Sequence, residues 1–305
     1  MKVLAIDGGG IRGLIPALVL AEIEKRVGRP AGSMFDLVAG TSTGAIIACA
    51  LTRPNPMAAE RIAELYEQDG PKIFDASLLK TITSVGGLVD ERYDASALVQ
   101  SLRTHLGDAR LSQATTGILI TAYDLQAREA LELRNSDDMS MVDAAHASSA
   151  APTYFEPVRI GNRTLVDGGV FAISPAALAY AEAGGQLDVL LSLGTGQHTK
   201  PLPFDEVKDW GALQWARPIL DVVFDGSADA VDSELSRLID GRYTRLQTML
   251  TEANDAFDDA SEENLAALRR EAERLIAERS DDIDRVIAML TQSGPSTPGA
   301  GSAPQ

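Results

Sequence analysis

Residues 35–51 read FDLVAGTSTGAIIACAL. The apolar run Phe35 to Ala39 has the length of a short buried strand, and AIIACAL reads as the start of a helix. Between them lies G-x-S-x-G, with Gly40, Ser42 and Gly44 in the fixed positions. In the order strand, sharp turn, helix, this pattern lifts one serine hydroxyl above the carboxyl edge of a sheet. The helix N-terminus that follows has unpaired N–H groups and a partial positive charge, which favour negative charge near Ser42. The same five residues also suit an ordinary glycine-rich turn, so their meaning depends on the rest of the chain.

Working outward, residues 3–24 read VLAIDGGGIRGLIPALVLAEIE. They predict a strand from Val3 to Ile6 and a helix from Leu14 to Glu24, with Gly8, Gly10 and Gly13 spaced G-x-G-x-x-G between. Such a loop lets an anion approach the backbone closely. A dinucleotide site needs an acidic residue after the second strand, about 20 residues further on. Here Glu22 and Glu24 fall within the helix, and Asp36 precedes the next apolar run. The loop is better read as an oxyanion hole, in which the N–H groups of Gly8, Gly9 and Gly10 hold the oxygen of a tetrahedral intermediate formed at Ser42. Adjacent parallel strands bring two such loops together at their carboxyl ends.

A nucleophilic serine also needs a base. The chain has three histidines, His105, His146 and His198. In TLVDGGV (164–170), Asp167 ends an expected strand, and two glycines after it allow close approach. An aspartate against a serine hydroxyl in a partly desolvated cleft has a raised pKa and can take the proton. On its own, Asp-Gly-Gly is also a common turn. The order Ser42, Asp167, His198 is that of a serine–acid–histidine triad as well, with His198 following the strand-like DVLLSLG. The residues alone leave both bases open.

Taken together, DGGGIRG (7–13), GTSTG (40–44) and DGG (167–169) resemble the motifs of the patatin-like phospholipase family. The resemblance continues through HASSAAPTYFEP (146–157) and LLSLGTG (190–196), and so covers residues 3–200. WARPILDVVFDGSADAVDSEL (215–235) looks like bacterial members. The resemblance implies a three-layer α/β/α fold around a mostly parallel sheet, and calcium-independent hydrolysis of lipid acyl esters by a Ser–Asp dyad. It makes Ser42 the nucleophile, Asp167 the base, Gly8 to Gly10 the oxyanion hole, and Gly40 and Gly44 the flanks of the nucleophile elbow. Arg12 matches the family's loop arginine and either binds a phosphate headgroup or braces the loop. Two positions depart from the pattern: Ala172-Ile173-Ser174-Pro175 stands where Asn-Asn-Pro is frequent, and His146 where arginine is. Other readings of the same site are a soluble carboxylesterase or thioesterase, and an effector lipase that needs an activator. A storage or interaction protein that keeps only the fold is a further one.

Composition narrows the partners. With 44 acidic against 27 basic residues and a net charge of -17, the chain offers neither the clustered cations that a nucleic acid demands nor attraction to anionic membranes. Contact with lipid then depends on apolar side chains, and Phe204, Trp210, Leu213 and Trp215 cluster in one stretch. They either line the cleft mouth or touch a bilayer, or else pack the helical part onto the sheet. No metal ligand spacing is present, and no cofactor is expected. No apolar run reaches 18 residues, Met1 leads straight into a strand without a signal-peptide pattern, and the lone Cys49 reads as a buried thiol. The expected setting is cytoplasmic, with at most peripheral membrane contact.

The organisation expected is a catalytic core over 1–200, a helical part over 201–291 packed on it, and a disordered tail over 292–305. Strands are expected at 35–39, 117–123, 164–167 and 188–194, and amphipathic helices at 58–68 and 96–106. Residues 71–93 read as a loop excursion. Beyond residue 200 no further strand is expected: a helix breaks near Gly226, Ser261 caps a second helix and Ser280 a third.

Overall fold

The structure, a computed structural model, describes residues 1–75, 79–83, 89–197, 201–215 and 218–292. Its strands are β1 (Lys2–Ile6), β2 (Leu37–Gly40), β3 (Leu79–Thr83), β4 (Val89–Tyr93), β5 (Gly117–Asp124), β6 (Glu129–Arg134), β7 (Val158–Ile160), β8 (Arg163–Asp167), β9 (Val189–Leu193) and β10 (Tyr243–Leu246). The helices are α1 (Leu14–Val27), α2 (Thr43–Thr52), α3 (Ala59–Ile73), α4 (Ser96–Leu106), α5 (Met141–Ser148), α6 (Gly169–Ala172), α7 (Ala176–Ala183), α8 (Phe204–Val207), α9 (Ala212–Trp215), α10 (Pro218–Leu238), α11 (Glu262–Glu278) and α12 (Ser280–Thr291).

The main sheet runs β10-β9-β1-β2-β5-β8-β7, with β6 on β5 outside this path. Strands β10, β9, β1, β2 and β5 are mutually parallel. The strands at its centre are almost entirely apolar because helices cover both faces. Leu4 and Ile6 of β1 point into a large core shared with α1, α2, α5, α11 and α12, while Val3 and Ala5 point the other way, toward Ala176 and Ala179 of α7 and Leu235 of α10. The result is the expected three-layer α/β/α architecture, with one helical layer much thicker than the other.

Four sequence expectations are corrected. The sheet does continue past residue 200, since β10 joins β9 in parallel register. Its four residues, Tyr-Thr-Arg-Leu, are half polar and carry no apolar run, so no strand pattern stands out. Helix α10 passes unbroken through Gly226, whose exposed position costs only the usual ~1 kcal/mol of a mid-helix glycine. Ser280 is the first residue of α12 and makes no capping bond. Within 71–93, β3 and β4 form an antiparallel pair. The Ser261 cap is in place: its Oγ accepts from the N–H of Asn264 at 3.3 Å. The residues of the expected tail lie outside the described ones from 293 onward.

Candidate active site

Strand pairing places the two catalytic candidates. Strand β5 holds β6 along one edge. Its other edge pairs first with β2, in parallel, up to Gly40 opposite Ile120. The same edge then pairs with β8, antiparallel, from Asp167 opposite Ala122. Strands β2 and β8 therefore run toward each other along one edge of β5 and stop almost end to end. The chain leaves β2 at the G-x-S-x-G turn, and β8 ends at Asp167.

Ser42 sits at φ 55° and ψ -120°, a backbone region costly for any residue with a Cβ. The strain is held by close packing. A Cβ on Gly44 would lie 2.1 Å from the Ile6 carbonyl oxygen, so only glycine lets α2 start directly against β1. The Ser42 N–H donates to Ser148 Oγ at 2.8 Å. Thr41 Oγ1 donates to the Ala172 carbonyl, and Thr121 Oγ1 to Thr41 Oγ1, both at 2.7 Å.

Asp167 is 2% exposed. Its carboxylate accepts a hydrogen bond from the Gly169 N–H at 2.7 Å, and the neighbouring Ser42 hydroxyl also favours its ionised form. Burial outweighs both and lifts its pKa from 3.8 to about 7. A carboxylate with its pKa near neutrality beside a serine hydroxyl has the chemistry that a general base requires.

The glycine loop lies beside them. Gly8 differs from its expected role: its N–H donates to the Ile173 carbonyl at 2.9 Å and is not available to an oxyanion. The N–H groups of Gly9 and Gly10 have no intramolecular acceptor among the described residues, and both glycines line the cleft at Ser42. Gly10 adopts φ +56°, and a Cβ there would lie 2.2 Å from the Phe257 carbonyl oxygen. The loop is tied by Thr195 Oγ1 to the Gly8 carbonyl (2.8 Å) and by the Ile11 N–H to the Phe257 carbonyl (2.8 Å).

Arg12 does not line the cleft. Its guanidinium lies 4.5 Å from the centre of the Phe257 ring and is 6% exposed. Burial pushes its pKa down, opposed by the charges of Asp225, Asp221 and Asp255. The departure at 172–175 has a structural reason. Support for the elbow and the loop comes from the backbone carbonyls of Ala172 and Ile173, which any residue type can supply. His146 Nε2 is buried without a partner, and burial lowers its pKa. His105 Nε2 bonds Asp69 at 3.0 Å, between α4 and α3. His198 lies outside the described residues.

Ser42 and Asp167 line a narrow, mostly apolar cleft. Its walls are Ile46, Leu65, Ile73, Leu98, Leu102 and Phe155, with Phe224 and Phe257 from the C-terminal part. Trp210 and Trp215 are not among its lining residues; they pack edge to face on each other at 5.1 Å and are half-buried. The side chain of Leu213 lies outside the described residues. Phe204 is 76% exposed. Among the described residues, no group of three or more His, Cys, Asp or Glu is arranged to hold a metal ion, and no helix is long and apolar enough to cross a membrane.

Several residues of the site carry no role in the sequence reading. Ser148 belongs to HASSAAP and Thr195 to LGTG, stretches that marked the family resemblance without an assigned contact. Phe257 and Arg245 had no signal: they stand in polar sequence far from every motif.

The structure thus brings together a strained serine elbow, a buried aspartate beside it and free glycine amides, on a mixed α/β sheet. The model of the family described as "Patatin-like phospholipase" matches residues 4–180. Patatin-like protein 2 of Arabidopsis thaliana is 35% identical, over 90% of this chain and 83% of its own. Two proteins of Solanum tuberosum are each 32% identical over 90% of this chain: a probable inactive patatin-3-Kuras 1, covered to 86%, and Patatin-07, covered to 83%. The chain belongs to the patatin-like phospholipase family. The likeness of residues 215–235 to bacterial members is not borne out by these relatives, which are plant proteins. Among solved structures, VipD from Legionella pneumophila aligns with a TM-score of 0.41 and 11% identity, over 91% of this chain and 67% of its own. The type III effector ExoU aligns at 0.42 and 10%, over 95% of this chain and 53% of its own. Likeness at that level bears on neither activity nor partners.

Proposed function

We propose that this chain is a lipid acyl hydrolase that cleaves carboxylic esters through a Ser42–Asp167 dyad. The juxtaposition of the strained Ser42 and the buried Asp167 in one cleft, where the ends of β2 and β8 meet along β5, carries this reading. Family membership supports it. One relative is named as probably inactive, so the case for catalysis rests on the site itself.

The ester's acyl chain lies against Ile46, Leu65, Leu98 and Leu102, and the carbonyl carbon faces Ser42 Oγ. Ser42 attacks as its proton passes to Asp167. The oxygen, now negative, is held by the amides of Gly9 and Gly10, near the N-terminus of α2. The tetrahedral intermediate expels the alcohol, which takes the proton from Asp167. Water then attacks the acyl-enzyme as Asp167 takes its proton; the second tetrahedral intermediate collapses, Asp167 returns the proton to the departing Ser42 Oγ, and the fatty acid leaves. Negative charge is met by backbone amides, and proton transfer by one carboxylate. No step calls on calcium. Phospholipid and other long-chain esters are the substrates best matched to the apolar cleft; preference for short esters over long ones in a substrate panel would instead make this a soluble carboxylesterase.

The test is ester hydrolysis by Ser42→Ala, Asp167→Asn, the double variant and His198→Ala. The first two are expected to lose about 10³-fold or more in kcat, and the double variant little beyond either, because members of one catalytic unit are non-additive. His198→Ala is expected to stay within about tenfold of wild type, since a residue outside the unit makes no transition-state contact. A folded His198→Ala as inactive as Ser42→Ala would make histidine the base and overturn the dyad.

A further inference from the structure

The glycine loop is anchored on both sides by a part of the chain beyond the 4–180 stretch that the family model matches. After the loop, the Ile11 N–H bonds the Phe257 carbonyl. Before it, Asp7 Oδ2 accepts from the Arg245 guanidinium at 2.5 Å. This ion pair is buried, with side-chain exposures of 4% for Asp7 and 11% for Arg245. Arg245 also donates to Ser192 Oγ at 2.9 Å.

Sheet register explains the reach. Arg245 of β10 stands opposite Ser192 of β9, which stands opposite Ala5 of β1. Partners in register point to the same face, and so does the residue two further on, Asp7. The guanidinium thus spans β9 and ends under the last residue before Gly8. Asp7 Oδ1 has no partner, so Arg245 is the carboxylate's one buried cation among the described residues. A buried carboxylate bound to one cation is held firmly, because leaving it unpaired is costly. Gly9 and Gly10, by contrast, have no side chains to fix them, and their amides must stay unpaired to serve an oxyanion.

We propose that Arg245 is a positioning residue for the oxyanion hole, acting through its buried ion pair with Asp7 to hold the Gly9 and Gly10 amides toward Ser42. The proposal rests on the acyl-hydrolase reading for its effect on rate, but not for its effect on the loop. It assigns the short edge strand β10 a part in the chemistry, as the element that carries the anchor.

Removing one partner alone leaves a buried charge and invites misfolding. The test therefore uses the neutral pair Asp7→Asn with Arg245→Met, beside Arg245→Lys. Each is read for melting temperature, kcat and KM, the rate at which a fluorophosphonate labels Ser42, and amide hydrogen exchange over residues 8–12. The neutral pair is expected to fold and to keep KM within about threefold. Its kcat and labelling rate are expected to fall at least about tenfold, less than the 10² or more of a deleted oxyanion donor. Exchange over 8–12 is expected to rise by a similar factor, and Arg245→Lys to recover much of each loss. A folded neutral pair with wild-type kcat and exchange overturns the proposal. So does a fall in kcat without faster exchange, since the loss then bypasses the loop. A neutral pair that does not fold also counts against it, because the pair is then a requirement of the fold. If the wild type hydrolyses no ester, the functional reading fails, and loop exchange alone decides whether the anchor stands.

Discussion

Burial lifts the Asp167 pKa to about 7, and the proposed role as general base needs its ionised form. The sign for activity is clear. Hydrolysis is expected to fall as the pH drops through about 7 and to level off above it, which a pH–rate profile will check. The sign for stability is opposite. The folded-state pKa lies above the unfolded one, so the native state holds the extra proton between about 4 and 7. Stability from this group is full below the unfolded value and is lost as pH rises through the folded one. Asp167→Asn is therefore expected to stabilise the protein at pH 8 by roughly 1–4 kcal/mol, the upper figure being the whole rise in pKa. At pH 3.5 the same substitution is expected to change stability little. Denaturant unfolding at both pH values measures the difference; a variant equally stabilised at both would show that ionisation is not the cause.

At the scale of elements, α11 shows how a local signal reaches the site. Ser261 caps it, and Glu262 and Glu263 lie in its first turn against the positive end of the helix. Leu265, Leu268 and Leu275 are buried with the α1 side of the core. The chain arriving at this cap is the one that presents the Phe257 carbonyl to Ile11. Ser261→Ala is expected to cost about 1 kcal/mol in unfolding free energy. The loss should appear in denaturant melts, with kcat reduced by no more than a few-fold. Helix α10 is the contrasting element. It buries Phe224 and Leu235 but exposes Ile219, Val222 and Val223, so its apolar residues do not form one inward stripe. That is why its sequence does not mark it as a single helix, and why Gly226 reads as a break.

For the whole molecule, the proposed mechanism calls on no cation: a carboxylate moves the proton and backbone amides meet the charge. Activity is expected to survive EDTA within about twofold, because a dyad of this kind needs no Lewis acid to polarise the carbonyl. Loss with EDTA and recovery with calcium would replace the proposed mechanism.

What the sequence determined by itself was local. Buried strands of a parallel sheet are continuous apolar runs, and so Val3 to Ile6, Leu37 to Ala39 and Val189 to Leu193 are legible. The tight contact of α2 with β1 admits only glycine, so Gly44 announces the elbow and Ser42 within it. Only the tertiary structure decided that β2 and β8 meet end to end along β5, which brings Ser42 to Asp167. It also decided that Ile173 occupies the Gly8 amide and leaves Gly9 and Gly10 free, that Ser148 holds the serine's N–H, and that Arg245 reaches Asp7. Those contacts join residues between 100 and about 240 positions apart, through single polar atoms. Such pairings impose no period and no spacing on the chain, because a hydrogen bond constrains two atoms in space and nothing along the sequence between them.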